Sequence, residues 1–195
     1  MNRFVRLFYR RFYWFTPLWY GFTSFLTRFR RWPPLPGYKN AKEIAEAINW
    51  GKNWRPDPLK GVLDVMMDPR KFQSRLDAGD KEYGDCDDYA IYWCTALLQS
   101  ELADRAWFGS IWYAKPGEKA SGHAVCVFER DGLRYWCDYK EPRIAIDMWE
   151  WARDVAALRG RIALAAGMTE VKLRKRSGAP KFIIRGSKST VFPTE

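Results

Sequence analysis

The sequence predicts an α+β fold, and three observations carry that expectation. First, an apolar stripe of helical spacing (Ala90, Trp93, Cys94 and Leu97, widened by Ile91 and Leu98) follows the turn Tyr83-Gly84-Asp85-Cys86. Second, residues 123–129 and 133–139 are rich in Val, Phe, Tyr and Trp and flank Asp131-Gly132, a favoured two-residue hairpin turn. Third, capped helical patterns lead into the cysteine-bearing helix.

Taken in order, the chain begins with a basic aromatic arm. Residues 1–37 carry seven Arg and no acid, whereas 159–195 carry nine Lys or Arg against Glu170 and Glu195. The 38–158 stretch, with 17 basic and 21 acidic residues, is mildly acidic, although the whole chain is +10. In the arm, Phe4, Phe8, Phe12 and Phe15 share one helical face, opposite Arg3, Arg6 and Arg10. An uncharged run of 16 residues, Phe12 to Thr27, then brings Trp14 and Trp19. It falls short of the ~20 residues a spanning helix requires. It lacks the aliphatic core and small-residue cleavage site of a secretory signal, so a cytoplasmic or peripheral membrane location is expected. Arginines opposite large aromatics suit a helix lying in a membrane interface, the leading expectation. Docking on a protein partner, packing on the chain's own domain and holding nucleic acid are the alternatives. No recognition motif supports nucleic acid.

The stretch Arg31-Trp-Pro-Pro-Leu-Pro-Gly37 reads as a stiff linker, dividing the arm (1–37) from a main domain over 38–160. Asn40 with Glu43 forms a capping box for a helix facing Ile44, Ala47 and Ile48 inward. Asp57-Pro58 starts a second helix, running to about 67, and Asp68-Pro69 a third that ends before Ala78-Gly79. Gly84 supplies a permissive turn, Asp85 an N-cap and Asp88 the capping-box acid of the helix over 86–101. A strand from Trp107 to Ala114, a loop at 115–119 and the hairpin follow. Asp147 and Glu150 cap a helix holding Trp149, Trp151, Val155 and Leu158. The basic extension, 161–195, reads either as two short strands (171–174 and 182–185) or as a loose tail.

Chemistry concentrates on one thiol and one imidazole. Cys86 falls in the first turn of its helix, where unpaired N–H groups and the helix dipole favour thiolate. Its neighbours Asp85, Asp87 and Asp88 oppose that, so the thiol needs a basic partner. The chain has a single histidine, His123. If Asp131-Gly132 is the loop, Arg130 faces Leu133 and Val125 faces Asp138, which puts His123 and Asp138 on one face as diagonal neighbours. A loop longer by one residue separates them. A carboxylate orienting an imidazole that activates a thiol is the general nucleophile–base–orienter arrangement. The same register sets Cys126 opposite Cys137, where two packed thiols are the leading expectation and a cross-strand disulfide the alternative, and Cys94 reads as core. Four cysteines, no C-x-x-C and one His make no metal signature, and the acids near Cys86 match no calcium loop. No metal or cofactor is expected.

Gly84-Asp-Cys-Asp-Asp-Tyr-Ala90, then Gly122-His-Ala-Val125, then Trp136-Cys-Asp138 resembles the bacterial transglutaminase-like cysteine peptidases of the papain-like superfamily. The resemblance spans roughly residues 50–145. It implies a papain-like core, with the cysteine helix packed on an antiparallel sheet that carries His and Asp. It implies Cys86 as nucleophile, His123 as general base and acid, and Asp138 as orienting carboxylate. The family's additional oxyanion-hole side chain has two candidates here, Gln73 and Trp54, and neither spacing is diagnostic. The expected function is that of a cysteine peptidase or amidase acting on a peptide or protein amide. Acyl transfer to an amine, as in a transglutaminase, is an alternative. A non-enzymatic attachment or structural protein built on such a scaffold is another.

Overall fold

A six-stranded antiparallel sheet organises the computed structural model. The model describes residues 2–11, 13, 15, 18–19, 22, 33–48, 66–79, 84–138, 140, 142–175 and 178–193, without the side chains of 2–6 and 184–186. The strands are β1 (Arg105–Ala114), β2 (Ser121–Arg130), β3 (Leu133–Cys137), β4 (Arg143–Ile144), β5 (Ile162–Leu173) and β6 (Pro180–Val191). Their order across the sheet is β4-β3-β2-β1-β5-β6, with every neighbouring pair antiparallel. The described helices are α1 (Asn2–Arg11), α2 (Ala41–Ile48), α3 (Pro69–Asp77), α4 (Cys86–Gln99) and α5 (Glu150–Ala157).

The β2–β3 hairpin has the register that its turn dictates. Asp131 and Gly132 both take positive φ, 52° and 76°, the primed-turn geometry that matches strand twist. Arg130 pairs with Leu133, and Cys126 with Cys137. Alternation along the strands then feeds two cores. Ala106, Phe108, Ala124, Cys126 and Phe128 join Trp93, Cys94 and Leu97 of α4 on one face. Trp107, Ile111, Tyr113, Val125, Val127 and Trp136 join Trp151, Ala152 and Val155 of α5 on the other. Gly109 belongs to the second face, where a Cβ would lie 3.1 Å from the ring of Trp151.

The starts of α2 and α3 follow local chemistry. Asn40 Oδ1 accepts from the Glu43 N–H at 3.0 Å, and Glu43 reaches back to the Lys39 N–H at 2.8 Å. Asp68 caps α3 by accepting from the Arg70 N–H at 3.0 Å, and Gly79, at φ 72°, lies just past its end. The helix expected to start at Asp57-Pro58 lies almost entirely outside the described residues.

At α4 the expectation needs correcting. Asp85 occupies the N-cap position but makes no side-chain cap bond, and Asp88 accepts from the Met67 N–H instead of closing a capping box. Gly84 is not at positive φ. A Cβ there would lie 2.6 Å from Phe72 Cε2 and 2.9 Å from Asp88 Cβ. Close packing, rather than a turn, requires this glycine.

The segment 161–195 is not an appended extension. β5 pairs with β1 from Ala106–Val171 to Ala114–Ile162, and β6 forms an edge of the same sheet. Both strands are longer than the short pair expected, and the 160/161 boundary falls inside one hydrogen-bonded unit.

The arm lies on the sheet. Tyr9 and Tyr13, one helical turn apart and stacked at 5.1 Å, are buried against Ala165, Trp112 and Val191. The Tyr9 hydroxyl donates to Ser110 Oγ at 3.0 Å, and Ser189 Oγ donates to the Tyr9 carbonyl at 2.7 Å. Tyr13 rests on Gly167, a close approach that no side chain there would allow. Burial pushes the Tyr13 phenol up to about 12, against the lowering effect of its hydrogen bonds with Ser110 and Thr169. Among the described side chains of the arm, the tyrosine pair is the part buried against the sheet, with Phe8 packed beside it. Phe8 is half-buried beside Tyr9, Trp19 packs partly on the α4 core, and Arg10 is exposed. The side chains of Arg3, Phe4 and Arg6, together with Phe12 and Trp14, lie outside the described residues. No helix among the described residues is long and apolar enough to cross a membrane.

Candidate active site

Four free thiols occur in the chain, and they differ in kind. Cys94, Cys126 and Cys137 are fully buried, and Cys94 Sγ lies 3.1 Å from Cys126 Sγ. Burial, first of all, raises all three above the ordinary thiol range, which keeps them protonated and inert. Cys86 is the partly exposed one. It sits at the first position of α4, where backbone N–H groups lack intrahelical acceptors.

His123 stands near the start of β2, opposite Ile111 of β1, and is buried. Its Nε2 lies 2.9 Å from Asp138 Oδ1, just beyond the end of β3. The register accounts for the encounter: continued one residue past Cys137, it sets Asp138 opposite Val125, diagonal to His123. Burial works to raise the Asp138 carboxyl. The hydrogen bonds and charges of His123 and Arg159 outweigh it and hold the carboxyl below its ordinary range.

Arg159 is a residue that sequence reasoning passed over. It follows the end of α5, where its Nη1 donates to the Val155 carbonyl at 3.1 Å. Its Nη2 donates to Asp138 Oδ2 at 2.6 Å and lies 2.9 Å from His123 Nε2. In the sequence it was one basic residue among several before Gly160, a pattern that signals a helix end and nothing more.

Tyr113 of β1 was passed over too. Arg159 and Arg161 stack on its ring at 5.8 and 5.4 Å. Its phenol is raised chiefly by burial and lowered by Arg159; Cys86 and Asp138 act to raise it further, and Arg161 to lower it. The thiol of α4, the carboxylate after β3 and the arginines after α5 therefore all lie within electrostatic reach of one hydroxyl.

Gln73 is engaged elsewhere. Its Nε2 donates to Asp77 Oδ1 at 2.7 Å, and its carbonyl accepts from the hydroxyls of Tyr38 and Tyr92, tying α3 to α4. Those bonds give the amide a structural task between the two helices. Trp54 lies outside the described residues. Asp85, Cys86 and Asp87 bring three donor atoms within 4.8 Å of one another. Consecutive residues at a helix start crowd in this way without an ion, and no metal is assigned to them.

Taken together, the described residues form a mixed helix and antiparallel-sheet protein. At one end of its sheet lie a hydrogen-bonded imidazole and carboxylate, and the partly exposed Cys86 thiol and that carboxylate both act on the Tyr113 hydroxyl. No protein-family model matches the chain, and no curated protein matches it. Among solved structures it is similar to Legionella pneumophila LapG (EGTA-treated), with 19% identity and a TM-score of 0.39. That likeness covers 65% of this chain and 63% of the other.

Proposed function

We propose that the chain is a thiol-dependent amide hydrolase of the cysteine peptidase or amidase type. Cys86 would be its nucleophile, His123 its general base and acid, and Asp138 its orienting carboxylate. The observation that supports the reading is the hydrogen bond of 2.9 Å between His123 Nε2 and Asp138 Oδ1. It occupies the far nitrogen of the chain's single imidazole and leaves Nδ1 as the base.

In this reading the Cys86 thiol gives its proton to Nδ1, and the sulfur attacks the carbonyl carbon of an amide. The oxyanion that forms accepts from the Cys86 N–H. Its collapse breaks the C–N bond, and the imidazolium protonates the leaving amine. A water molecule, deprotonated by the imidazole, then attacks the thioester, releasing a carboxylic acid and restoring the thiol. An amine in place of that water gives transamidation with the same residues.

Tethering by the arm belongs to the same proposal. With Tyr9 and Tyr13 turned inward, Leu7, Phe15, Leu18 and Phe22 are between 41% and 54% exposed, beside exposed Arg10 and Arg11. Apolar side chains alternating with cations suit the headgroup region of an anionic bilayer. The arm also covers the sheet, so substitutions test it better than deletion. Changing Leu7, Phe15, Leu18 and Phe22 to Ser is expected to abolish co-sedimentation with phosphatidylserine vesicles while leaving the melting temperature in place. Unchanged co-sedimentation would overturn the tether.

The chemistry is tested by iodoacetamide labelling across pH, with mass-spectrometric site assignment, on the wild type and His123→Ala. Rapid labelling of Cys86 near neutral pH, slowed by the substitution, is expected. Equal labelling of both proteins would overturn the hydrolase reading and leave a structural protein on a thiol-enzyme scaffold.

A further inference from the structure

We propose that Arg159 is a positioning residue for the His123–Asp138 pair, fixing the imidazole tautomer. The proposal rests on the thiol-hydrolase reading above and deepens it. Its basis is a geometric conflict at one atom. His123 Nε2 has Asp138 Oδ1 at 2.9 Å and Arg159 Nη2 at 2.9 Å. A ring nitrogen carries either a proton or a lone pair, so one of the two contacts is a hydrogen bond and the other is not.

Consider the proton on Nδ1. Nε2 then accepts from Arg159, but its lone pair faces a carboxylate oxygen at 2.9 Å. In addition, the nitrogen that must act as base is already protonated. With the proton on Nε2, the ring donates to Asp138 Oδ1, while Arg159 donates to Oδ2 at 2.6 Å. Both carboxylate oxygens then accept, and no lone pairs oppose. Arg159 secures this second arrangement by occupying Oδ2, which keeps Oδ1 turned to the ring. The guanidinium is itself anchored through Nη1 to the Val155 carbonyl at 3.1 Å and stacks on Tyr113.

Among the described residues, the groups that act on Tyr113, the ring on which Arg159 stacks, are Cys86 of α4, Asp138 after β3, and Arg159 and Arg161 after α5, with Asp85 and Asp87 beside Cys86. Removing Arg159 takes away the donor at Asp138 Oδ2. Oδ1 is then no longer held toward the ring, and part of the population loses the base nitrogen at Nδ1.

The test uses the full chain as Arg159→Gln and Arg159→Lys, with two readouts. One is the pH profile of Cys86 alkylation by iodoacetamide. The other is the 15N spectrum of the imidazole, which needs no assignment because the chain has one histidine. The glutamine variant is expected to mix the tautomers and to slow Cys86 alkylation near neutral pH several-fold. The lysine variant, which keeps the charge, should restore most of the profile. A lower melting temperature with an unmoved profile and a single Nε2–H tautomer would overturn the proposal, leaving Arg159 a structural tie. The wild type and His123→Ala, run alongside, separate the two failures. If losing His123 slows alkylation but losing Arg159 shifts nothing, only the positioning role falls. If losing His123 changes nothing, the thiol reading falls, and the effect of Arg159 on the ring is still decided by the nitrogen spectrum.

Discussion

Asp138→Asn is the substitution whose effect the geometry constrains most tightly. The carboxylate accepts from two directions, from the His123 ring at Oδ1 and from Arg159 at Oδ2. An asparagine has one acceptor oxygen and one NH2 group, so it satisfies one partner and confronts the other with a donor. If the oxygen faces Arg159, the NH2 faces Nε2, which must then expose its lone pair, and the proton moves to Nδ1. If the oxygen faces the ring, the NH2 opposes a guanidinium that has lost its counter-charge.

The first orientation keeps the hydrogen bond to a cation, the stronger of the two, and disables the base. Without that base nothing takes the proton from Cys86, and an unassisted thiol is only roughly 1% thiolate at pH 6.5. Alkylation by iodoacetamide at pH 6.5 is therefore expected to slow about 100-fold, and the two rates should converge above about pH 9.5, where any exposed thiol is ionised. On the proposed reading, amide hydrolysis would also lose its proton donor and fall further, by about 10³- to 10⁴-fold or ~4–5.5 kcal/mol of barrier. Stopped-flow or quenched labelling with site assignment measures the first quantity directly. Equal alkylation at pH 6.5, in a variant that melts like the wild type, would refute the reasoning: Asp138 would then be a structural partner of Arg159 and irrelevant to the thiol.

Three further outcomes follow from the same contacts. Gly84→Ala forces a Cβ against the Phe72 ring and Asp88, and should destabilise the fold by about 1–3 kcal/mol in urea titration; because Gly84 lies two residues before the thiol, it should also slow Cys86 alkylation. The Asp138 carboxyl is depressed in the folded state, so its stabilisation is present above its ordinary unfolded-state value and is lost as pH falls through the folded one. Below the ordinary carboxylate range the wild type should therefore lose stability that the asparagine variant never had, visible as converging melting temperatures on acidification. Cys94, Cys126 and Cys137 should resist iodoacetamide in the native protein, even at pH 9, and react together on unfolding, because each is completely buried.

Much of this protein was legible in local sequence, wherever a short-range rule decides the outcome. The Asp131-Gly132 turn dictates its own backbone, and the turn fixes the strand register. The register brings His123 and Asp138 to one face, so a long-range contact followed from a two-residue signal. The caps at Asn40 and Asp68 were legible for the same reason, since a cap bonds within three residues.

What the sequence left open depended on groups far apart in the chain. Arg159 stands 36 positions from His123 and 21 from Asp138, and no periodicity connects a helix end to a strand start. The role of Gly84 came from the proximity of Phe72 and Asp88, not from its own backbone angle. The arm's helical amphipathicity was visible, but which ring faced inward was not. Tyr9 and Tyr13 are the pair whose hydroxyls find Ser110 and Thr169 on the sheet, and phenylalanine has no such group to satisfy. β5 and β6 read as fragments or a tail because Ala and Gly, weak strand formers, make up most of the first half of β5, while β1, its partner, lies 48 to 65 residues earlier and β6 pairs with β5. Local sequence determined the hairpin turn, the caps at Asn40 and Asp68 and the residue types available for chemistry. Tertiary packing decided which charges meet at the imidazole, because burial and proximity are properties of the assembled sheet.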